Sequence, residues 1–136
     1  MSSFLLFRHV NAVAREHWSG DDQLRPLDAT GEEQAEQLVD ALADRDLERI
    51  VSSPYVRCVE SVRALGAARG LEIEERMEVA EGAGREEIHR LVDELEGRAF
   101  LLCTHGDVVC ELLGEEMKKG ELRVVERDGD RFRTVG

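Results

Sequence analysis

Aromatic residues are scarce in this chain: they make up 4% of its 136 residues, whereas hydrophobic residues as a whole make up 42%. The hydrophobic share is large enough for a folded core and argues against wholesale disorder, so we expect a core built mainly from aliphatic side chains. A chain of this length fits one compact domain, and we assign residues 1–136 to a single domain.

Positive charge is also in short supply. The chain has 18 lysines and arginines against 30 aspartates and glutamates, a formal net charge of −12. Because a negative surface repels nucleic acids and anionic membranes, we expect neither as a partner. A small anionic substrate is still compatible with this charge, since a pocket can be locally positive on a negative surface.

Cysteine is limited to Cys58, Cys103 and Cys110, with no Cys-x-x-Cys pair. The odd number and the spacing indicate reduced thiols rather than a disulfide framework or a zinc knuckle. The N-terminal apolar run, residues 4–7, is too short for a signal peptide or a membrane span. We therefore expect a cytoplasmic protein, and as its oligomeric state a monomer or a weak homodimer.

Three apolar segments predict strands, at residues 4–7, 47–51 and 99–103. The first and the last are apolar throughout, which is typical of strands covered on both faces. Weaker strand candidates lie at 71–73 and 78–80. Residues 122–126 and 131–135 are typical of a hairpin around Asp128-Gly129.

Four helices are predicted between these strands. The first begins at Thr30, which forms a capping-box pattern with Glu33. The second begins at Ser53-Pro54, an N-cap followed by proline. The helices that follow the first end at Gly70, Gly97 and Gly114. Strands alternating with helices indicate an α/β fold, which we expect to be a three-layer α/β/α sandwich with a mostly parallel central sheet.

Cationic and imidazole side chains follow three of the predicted strands: Arg8 and His9, then Arg57, then His105. Because ligands of open α/β sheets bind at the carboxyl ends of the strands, we expect these groups to meet at one edge. Arginine forks match phosphate oxygens, and a neutral imidazole can attack phosphorus. The pattern therefore predicts phosphoryl transfer that requires no metal or other cofactor, since two arginines already neutralise the phosphate.

These motifs occur in an order that resembles the histidine phosphatase superfamily, which includes cofactor-dependent phosphoglycerate mutases and many phosphatases. The resemblance spans roughly residues 4–113. It is strongest for the small branch represented by the SixA phosphohistidine phosphatases and for the phosphatase-like domain of some actinobacterial Nudix proteins. The motifs that carry it are Arg8-His9, Trp18-Ser19-Gly20-Asp21-Asp22, Arg25-Pro26-Leu27, Gly31, Gln34-Ala35, Ser52-Ser53-Pro54-x-x-Arg57 and Thr104-His105-Gly106-Asp107.

The resemblance implies a metal-independent phosphatase in which His9 accepts the phosphoryl group and Glu81 donates the proton to the leaving group. Water would then hydrolyse the phosphohistidine intermediate. The implied partner is a phosphorylated protein, above all one carrying phosphohistidine, or a small phosphorylated metabolite. The phosphate pocket would be formed by Arg8, Arg57, His105 and Asn11.

Two features depart from the family pattern. Val10 stands where the family has a glycine after the histidine, and valine restricts the backbone more than glycine does. The segment after Leu113 is too short for the insertions that cover the substrate in mutase-like members. This favours an open site and a phosphatase.

Other chemistries fit the sequence less well. No cysteine starts the Cys-x5-Arg motif of a cysteine phosphatase, and the histidines at 9, 17, 89 and 105 lack the spacing of a metal hydrolase. One alternative stays open: the domain binds phosphate or a phosphorylated partner without turnover. A Glu81 directed away from the pocket would favour that alternative.

Overall fold

One six-stranded sheet forms the centre of the computed structural model, which describes residues 3–135. The strands lie in the order β3-β2-β4-β1-β5-β6. The first four strands in the chain run parallel to one another, and β5 and β6 form an antiparallel hairpin beside β1. The strands are β1 (Ser3–Arg8), β2 (Arg49–Ser52), β3 (Ile73–Glu75), β4 (Phe100–Thr104), β5 (Leu122–Asp128) and β6 (Arg131–Val135).

Four helices cover the two faces of this sheet: α1 (Ala29–Ala41), α2 (Val56–Arg69), α3 (Arg85–Leu95) and α4 (Gly106–Leu113). Alternate residues of β1 point to opposite faces. Leu5 packs into a cluster with residues of α1 and α2, whereas Leu6 packs into a cluster with residues of α3 and α4. The predicted α/β fold with a mostly parallel sheet is confirmed, and both clusters are mainly aliphatic, as expected.

Both predicted N-terminal helix caps are wrong. Helix α1 is capped by Asp28, whose Oδ1 accepts a hydrogen bond from Gly31 N at 2.7 Å, and Thr30 lies inside the helix. Helix α2 starts at Val56 rather than Pro54; the Ser53 Oγ accepts from the Tyr55 N–H at 3.3 Å and lies 2.8 Å from His105 Nε2.

The weak strand candidates are also corrected. The strand predicted at 71–73 lies at β3, two residues later, and residues 78–80 fall largely in a 3₁₀ turn, Met77–Val79. The ends of α2 and α4 are as predicted, since Gly70 and Gly114 adopt left-handed conformations with φ of 66° and 69°. None of the helices within residues 3–135 is long and apolar enough to cross a membrane.

Candidate active site

His9 and His105 leave the sheet side by side. Strands β1 and β4 are parallel neighbours, with Arg8 opposite Thr104, so the residues that follow them emerge at the same edge. The His9 N–H donates to the Thr104 carbonyl at 3.0 Å, and the two imidazole centroids lie 5.5 Å apart. The strand register therefore brings together the two histidines that the sequence pattern singled out.

One ring nitrogen of His9, Nδ1, is hydrogen-bonded within the protein. Its Nδ1 lies 2.8 Å from the Val10 carbonyl oxygen, which can only accept, so Nδ1 carries the proton and donates. Burial lowers the pKa of His9 from 6.5 to about 3; the hydrogen bond to Val10 opposes this shift, and the charges of neighbouring side chains add to it. At neutral pH the ring is therefore uncharged, and Nε2 retains its lone pair.

Val10 is accommodated without backbone strain, although a glycine was expected there. Within residues 3–135, positive φ angles occur only at glycines. The Val10 N–H donates to Ser61 Oγ at 3.0 Å, and its buried side chain packs on the α1 and α2 side of the sheet. The valine thus contributes to the core directly beneath the histidine.

Arg8 crosses the start of α4. Its Nη1 donates to the Met117 carbonyl at 2.7 Å. A Cβ atom added at Gly106 would lie 2.8 Å from Arg8 Cζ, so a glycine is needed for the guanidinium to lie this close to the helix. Arg8 is thereby fixed at the edge of the sheet next to His9.

Arg57 is almost fully buried, with 1% of its surface exposed. Its Nη1 donates to the Asp22 carbonyl at 3.0 Å and lies 3.3 Å from the Asp22 carboxylate. Its Nη2 lies 3.3 Å from the Glu81 carboxylate. Two acidic residues therefore balance this buried charge.

Glu81 is directed toward Arg57, not away from the cleft. The loop that carries it is fixed at both sides, because Thr104 Oγ1 donates to the Val79 carbonyl at 2.6 Å and Gly82 N donates to Asp107 Oδ2 at 2.8 Å. The other Glu81 oxygen lies 3.5 Å from Arg15 Nη2. This orientation removes the observation that would have favoured binding without turnover.

Three buried side-chain nitrogens in the described part of the chain have no hydrogen-bond partner: Arg8 Nε, Arg57 Nε and His105 Nδ1. Buried polar atoms are almost always paired, so each exception needs a reason. Here all three belong to residues around one cleft of about 810 Å³. An anion in this cleft would supply acceptors for them. The six predicted site residues all line it: Arg8, His9, Asn11, Arg57, Glu81 and His105.

The sequence model of the histidine phosphatase superfamily (branch 1) matches residues 4–87, more than half of the chain. The chain belongs to the histidine phosphatase superfamily. Among relatives of this phosphatase is a phosphohistidine phosphatase SixA homolog of Haemophilus influenzae, which is 30% identical over 83% of this chain and 78% of that protein. The resemblance to the SixA-like branch is thereby confirmed.

A second relative is much longer than this histidine phosphatase. An 8-oxo-(d)GTP phosphatase of Mycolicibacterium smegmatis is 30% identical over 88% of this chain, but the chain spans only 38% of that protein. Among solved structures, the protein histidine phosphatase SixA in complex with tungstate superimposes with a TM-score of 0.82 at 20% identity, covering 99% of this chain and 95% of the other. A SixA protein from Agrobacterium tumefaciens gives a TM-score of 0.74 at 23% identity, covering 98% and 95%. These two structural matches support the fold.

Arg25 and Asp22 also belong to the surroundings of this phosphatase site, although they were not predicted as site residues. Arg25 is buried; it donates to the Val13 carbonyl at 2.7 Å and to Asp22 Oδ1 at 2.9 Å. Burial disfavours the Asp22 carboxylate, but the hydrogen bond from Arg25 and the charge of Arg57 outweigh burial and lower its pKa. The only sequence signal was an acid and an arginine in a long polar loop.

No group of three or more His, Cys, Asp or Glu side chains within residues 3–135 is arranged to hold a metal ion. Of the three thiols, Cys58 and Cys103 are buried and Cys110 is exposed, and all three are free. The charged side chains that line the cleft of this phosphatase are arginines, carboxylates and Lys119.

Proposed function

We propose that this phosphatase hydrolyses phosphorylated substrates through a phosphohistidine intermediate on His9, without a metal ion. One observation carries the proposal: the unpaired nitrogens of Arg8, Arg57 and His105 belong to residues lining the cleft that also holds His9, a neutral imidazole whose Nδ1 is already occupied. Arg8, Arg57 and His105 supply hydrogen-bond donors for a phosphoryl group, and His9 supplies the nucleophile. The site needs no cation beyond its two guanidinium groups.

In the first step, the lone pair of His9 Nε2 forms a bond to phosphorus while the bond from phosphorus to the leaving group breaks. Arg8 and Arg57 bind the phosphoryl oxygens and stabilise the charge that spreads over them in the transition state. His105 donates a further hydrogen bond, and the Asn11 amide adds another at the mouth of the cleft. The leaving group takes a proton from the carboxyl group of Glu81.

Glu81 is placed for this role by its contacts. Its carboxylate lies 3.3 Å from Arg57 Nη2 and 3.5 Å from Arg15 Nη2. A phosphate bound by Arg57 therefore lies next to the Glu81 carboxyl group.

In the second step, water attacks the phosphorus of phospho-His9. The Glu81 carboxylate takes the proton from water, the bond between Nε2 and phosphorus breaks, and inorganic phosphate leaves. His9 returns to its neutral form with Nδ1 still bonded to Val10. Residues Arg8, Arg57, His105 and Asn11 hold the phosphoryl group throughout both steps.

The proposed substrate is phosphohistidine on a protein. Supporting this choice, one relative is named as a SixA phosphohistidine phosphatase homolog, and the cleft, at about 810 Å³, has room for a phosphorylated side chain. A small phosphate ester is the competing substrate class, and the name of the mycobacterial relative adds nucleotides to that class. We further propose that residues 1–136 act as one domain.

The test compares wild-type protein with His9→Asn and with His17→Asn, which changes an exposed histidine. Each is incubated with an aryl phosphate and with a phosphohistidine peptide in the presence of a chelator. We expect turnover by the wild type and by His17→Asn only. Acid-labile, base-stable phosphate should be trapped on the wild type and not on His9→Asn. Equal turnover by all three proteins would contradict the role of His9, and phosphate binding without turnover by any of them would favour a binding module.

A further inference from the structure

Ser53 contacts the Nε2 side of the His105 ring, opposite the unpaired Nδ1. It follows β2 and is completely buried. Its Oγ lies 2.8 Å from His105 Nε2, and it accepts a hydrogen bond from the Tyr55 N–H at 3.3 Å. The serine hydroxyl is thus the closest polar contact of His105 Nε2, whereas Nδ1 of the same ring is unpaired.

The direction of the bond between Ser53 and His105 follows from the number of hydrogens present. A serine hydroxyl has one hydrogen to donate, and Nε2, at 2.8 Å, is a stronger acceptor than the Cys58 sulfur, which the hydroxyl also contacts. If Nε2 carried the ring proton, Ser53 Oγ would receive two donors and its own hydrogen would be left with only that weak sulfur acceptor in a buried site. Ser53 therefore donates, and Nε2 accepts.

Cys58 is the other polar neighbour of this nitrogen, with its Sγ 3.5 Å from Nε2. A thiol is both a weak donor and a weak acceptor, so the closer serine hydroxyl sets the role of Nε2. The proton of a neutral His105 ring must then lie on Nδ1, which is buried and has no protein partner.

We propose that Ser53 is a positioning residue that fixes His105 as the neutral Nδ1–H tautomer, so that Nδ1 donates a hydrogen bond to a phosphoryl oxygen. This rests on the proposed function, since the phosphoryl group supplies the acceptor. In the other tautomer, Nδ1 would present a lone pair to the phosphate and repel it. The hydroxyl therefore decides whether His105 attracts or opposes the bound phosphate, although Ser53 itself does not touch it.

The deciding measurement uses the wild-type protein at neutral pH without phosphate. Nitrogen NMR of the imidazole rings reports which nitrogen of His105 carries the proton. We expect the proton on Nδ1. A proton on Nε2 would overturn the proposal, whatever the variants do.

Ser53→Ala and Ser52→Ala form a matched pair of variants. Ser52 is equally buried, but its Oγ donates to the Ser53 carbonyl and does not touch His105. In Ser53→Ala we expect a mixture of His105 tautomers and about tenfold weaker binding of inorganic phosphate, the loss of one hydrogen bond to a charged group. Ser52→Ala should keep the wild-type tautomer and affinity, and Ser53→Thr, which restores the hydroxyl, should recover both.

The outcomes separate this proposal from the proposed function. Suppose that the wild type shows no turnover but carries the His105 proton on Nδ1, and that Ser53→Ala loses phosphate binding. This result would contradict catalysis but support the role of Ser53. Wild-type turnover with identical tautomer and phosphate affinity in the two alanine variants would refute the role of Ser53 and leave catalysis intact. If Ser53→Ala does not fold, the wild-type NMR measurement decides alone.

Discussion

Asp22 binds the guanidinium of Arg57 twice, through its carbonyl oxygen at 3.0 Å and its carboxylate at 3.3 Å, and both bonds reach Nη1. Glu81 binds Nη2 of the same guanidinium. A phosphate that uses both terminal nitrogens of Arg57 must therefore compete with two carboxylates. These contacts hold the Arg57 guanidinium in place and lower its affinity for an anion.

Asp22→Asn is expected to tighten the binding of inorganic phosphate by up to about fivefold, since a partly exposed ion pair contributes at most about 1 kcal/mol. The bond from Arg57 to the backbone carbonyl of residue 22 remains, so the guanidinium keeps its place while one competing negative charge disappears. Calorimetric titration measures the change. Asp21→Asn is the control, because the Asp21 carboxylate binds Gln23 N instead. Weaker binding in Asp22→Asn would mean that the carboxylate chiefly orders Arg57.

Glu81→Gln should separate substrates by their leaving groups. Hydrolysis of an alkyl phosphate needs a proton donor, and we expect kcat to fall by about 10²- to 10⁴-fold. An aryl phosphate with an acidic phenol leaves without that proton, so its transfer to His9 should change little, and a phosphoenzyme should accumulate. Glu78→Gln, which alters an acid paired with Arg76, serves as the control. An equal loss for both substrates in steady-state and burst kinetics would count against Glu81 as the acid.

Strands β1 and β4 were predictable because they are short apolar runs, and the helix ends at Gly70 and Gly114 because only glycine adopts those angles readily. The helix starts were not. Thr30 and Ser53 look like caps locally, but whether a hydroxyl caps a helix depends on what else lies within reach. The Ser53 Oγ accepts from the Tyr55 N–H but also contacts His105, which is distant in sequence, and the helix begins only at Val56. Such choices belong to tertiary contacts, which a local pattern does not contain.

Some residues of the candidate site could be predicted from the sequence, and others could not. Side chains that directly follow strands, such as His9 and His105, were predictable because strand ends share one edge of the sheet. Arg25 lines the cleft and Asp22 binds Arg57, and both lie in a loop whose path is fixed by contacts such as the bond from Arg25 to Val13. No periodicity or motif encodes that path, so their place beside Arg57 could not be read from the sequence.

His9 should make folding stability sensitive to acid. Burial lowers its pKa to about 3, whereas the unfolded chain binds the proton near pH 6.5. Between these values the unfolded state holds more protons, so stability falls as the pH is lowered through this range, by about 2 kcal/mol at pH 5. Denaturant titrations of wild type and His9→Gln should therefore diverge below pH 6.5, with the wild type losing more. His17→Gln should follow the wild type, and parallel curves for His9→Gln would contradict the shift.

Gly106→Ala should weaken phosphate binding by about tenfold or more while changing the free energy of unfolding by less than about 1 kcal/mol. The new methyl group would meet the end of the Arg8 side chain, which can move aside, and alanine favours the helix. Displacement of Arg8 removes a charged donor from the phosphate pocket. Gly84→Ala, at the N-cap of α3 and outside the cleft, is the control for a glycine-to-alanine change remote from Arg8. Unchanged phosphate affinity in Gly106→Ala would show that Arg8 binds equally well from another position.

The position of β1 in the sheet has a consequence for synthesis of the protein. Leu5 pairs with Leu101 on one side and with Val124 on the other, so during synthesis β1 waits for neighbours that follow it at a large distance along the chain. Folds dominated by such distant pairings form slowly. A nascent chain that stops short of β4 carries His9 but lacks the edge that buries it and the histidine beside it. The cleft around His9 therefore forms only after β4 has been synthesised.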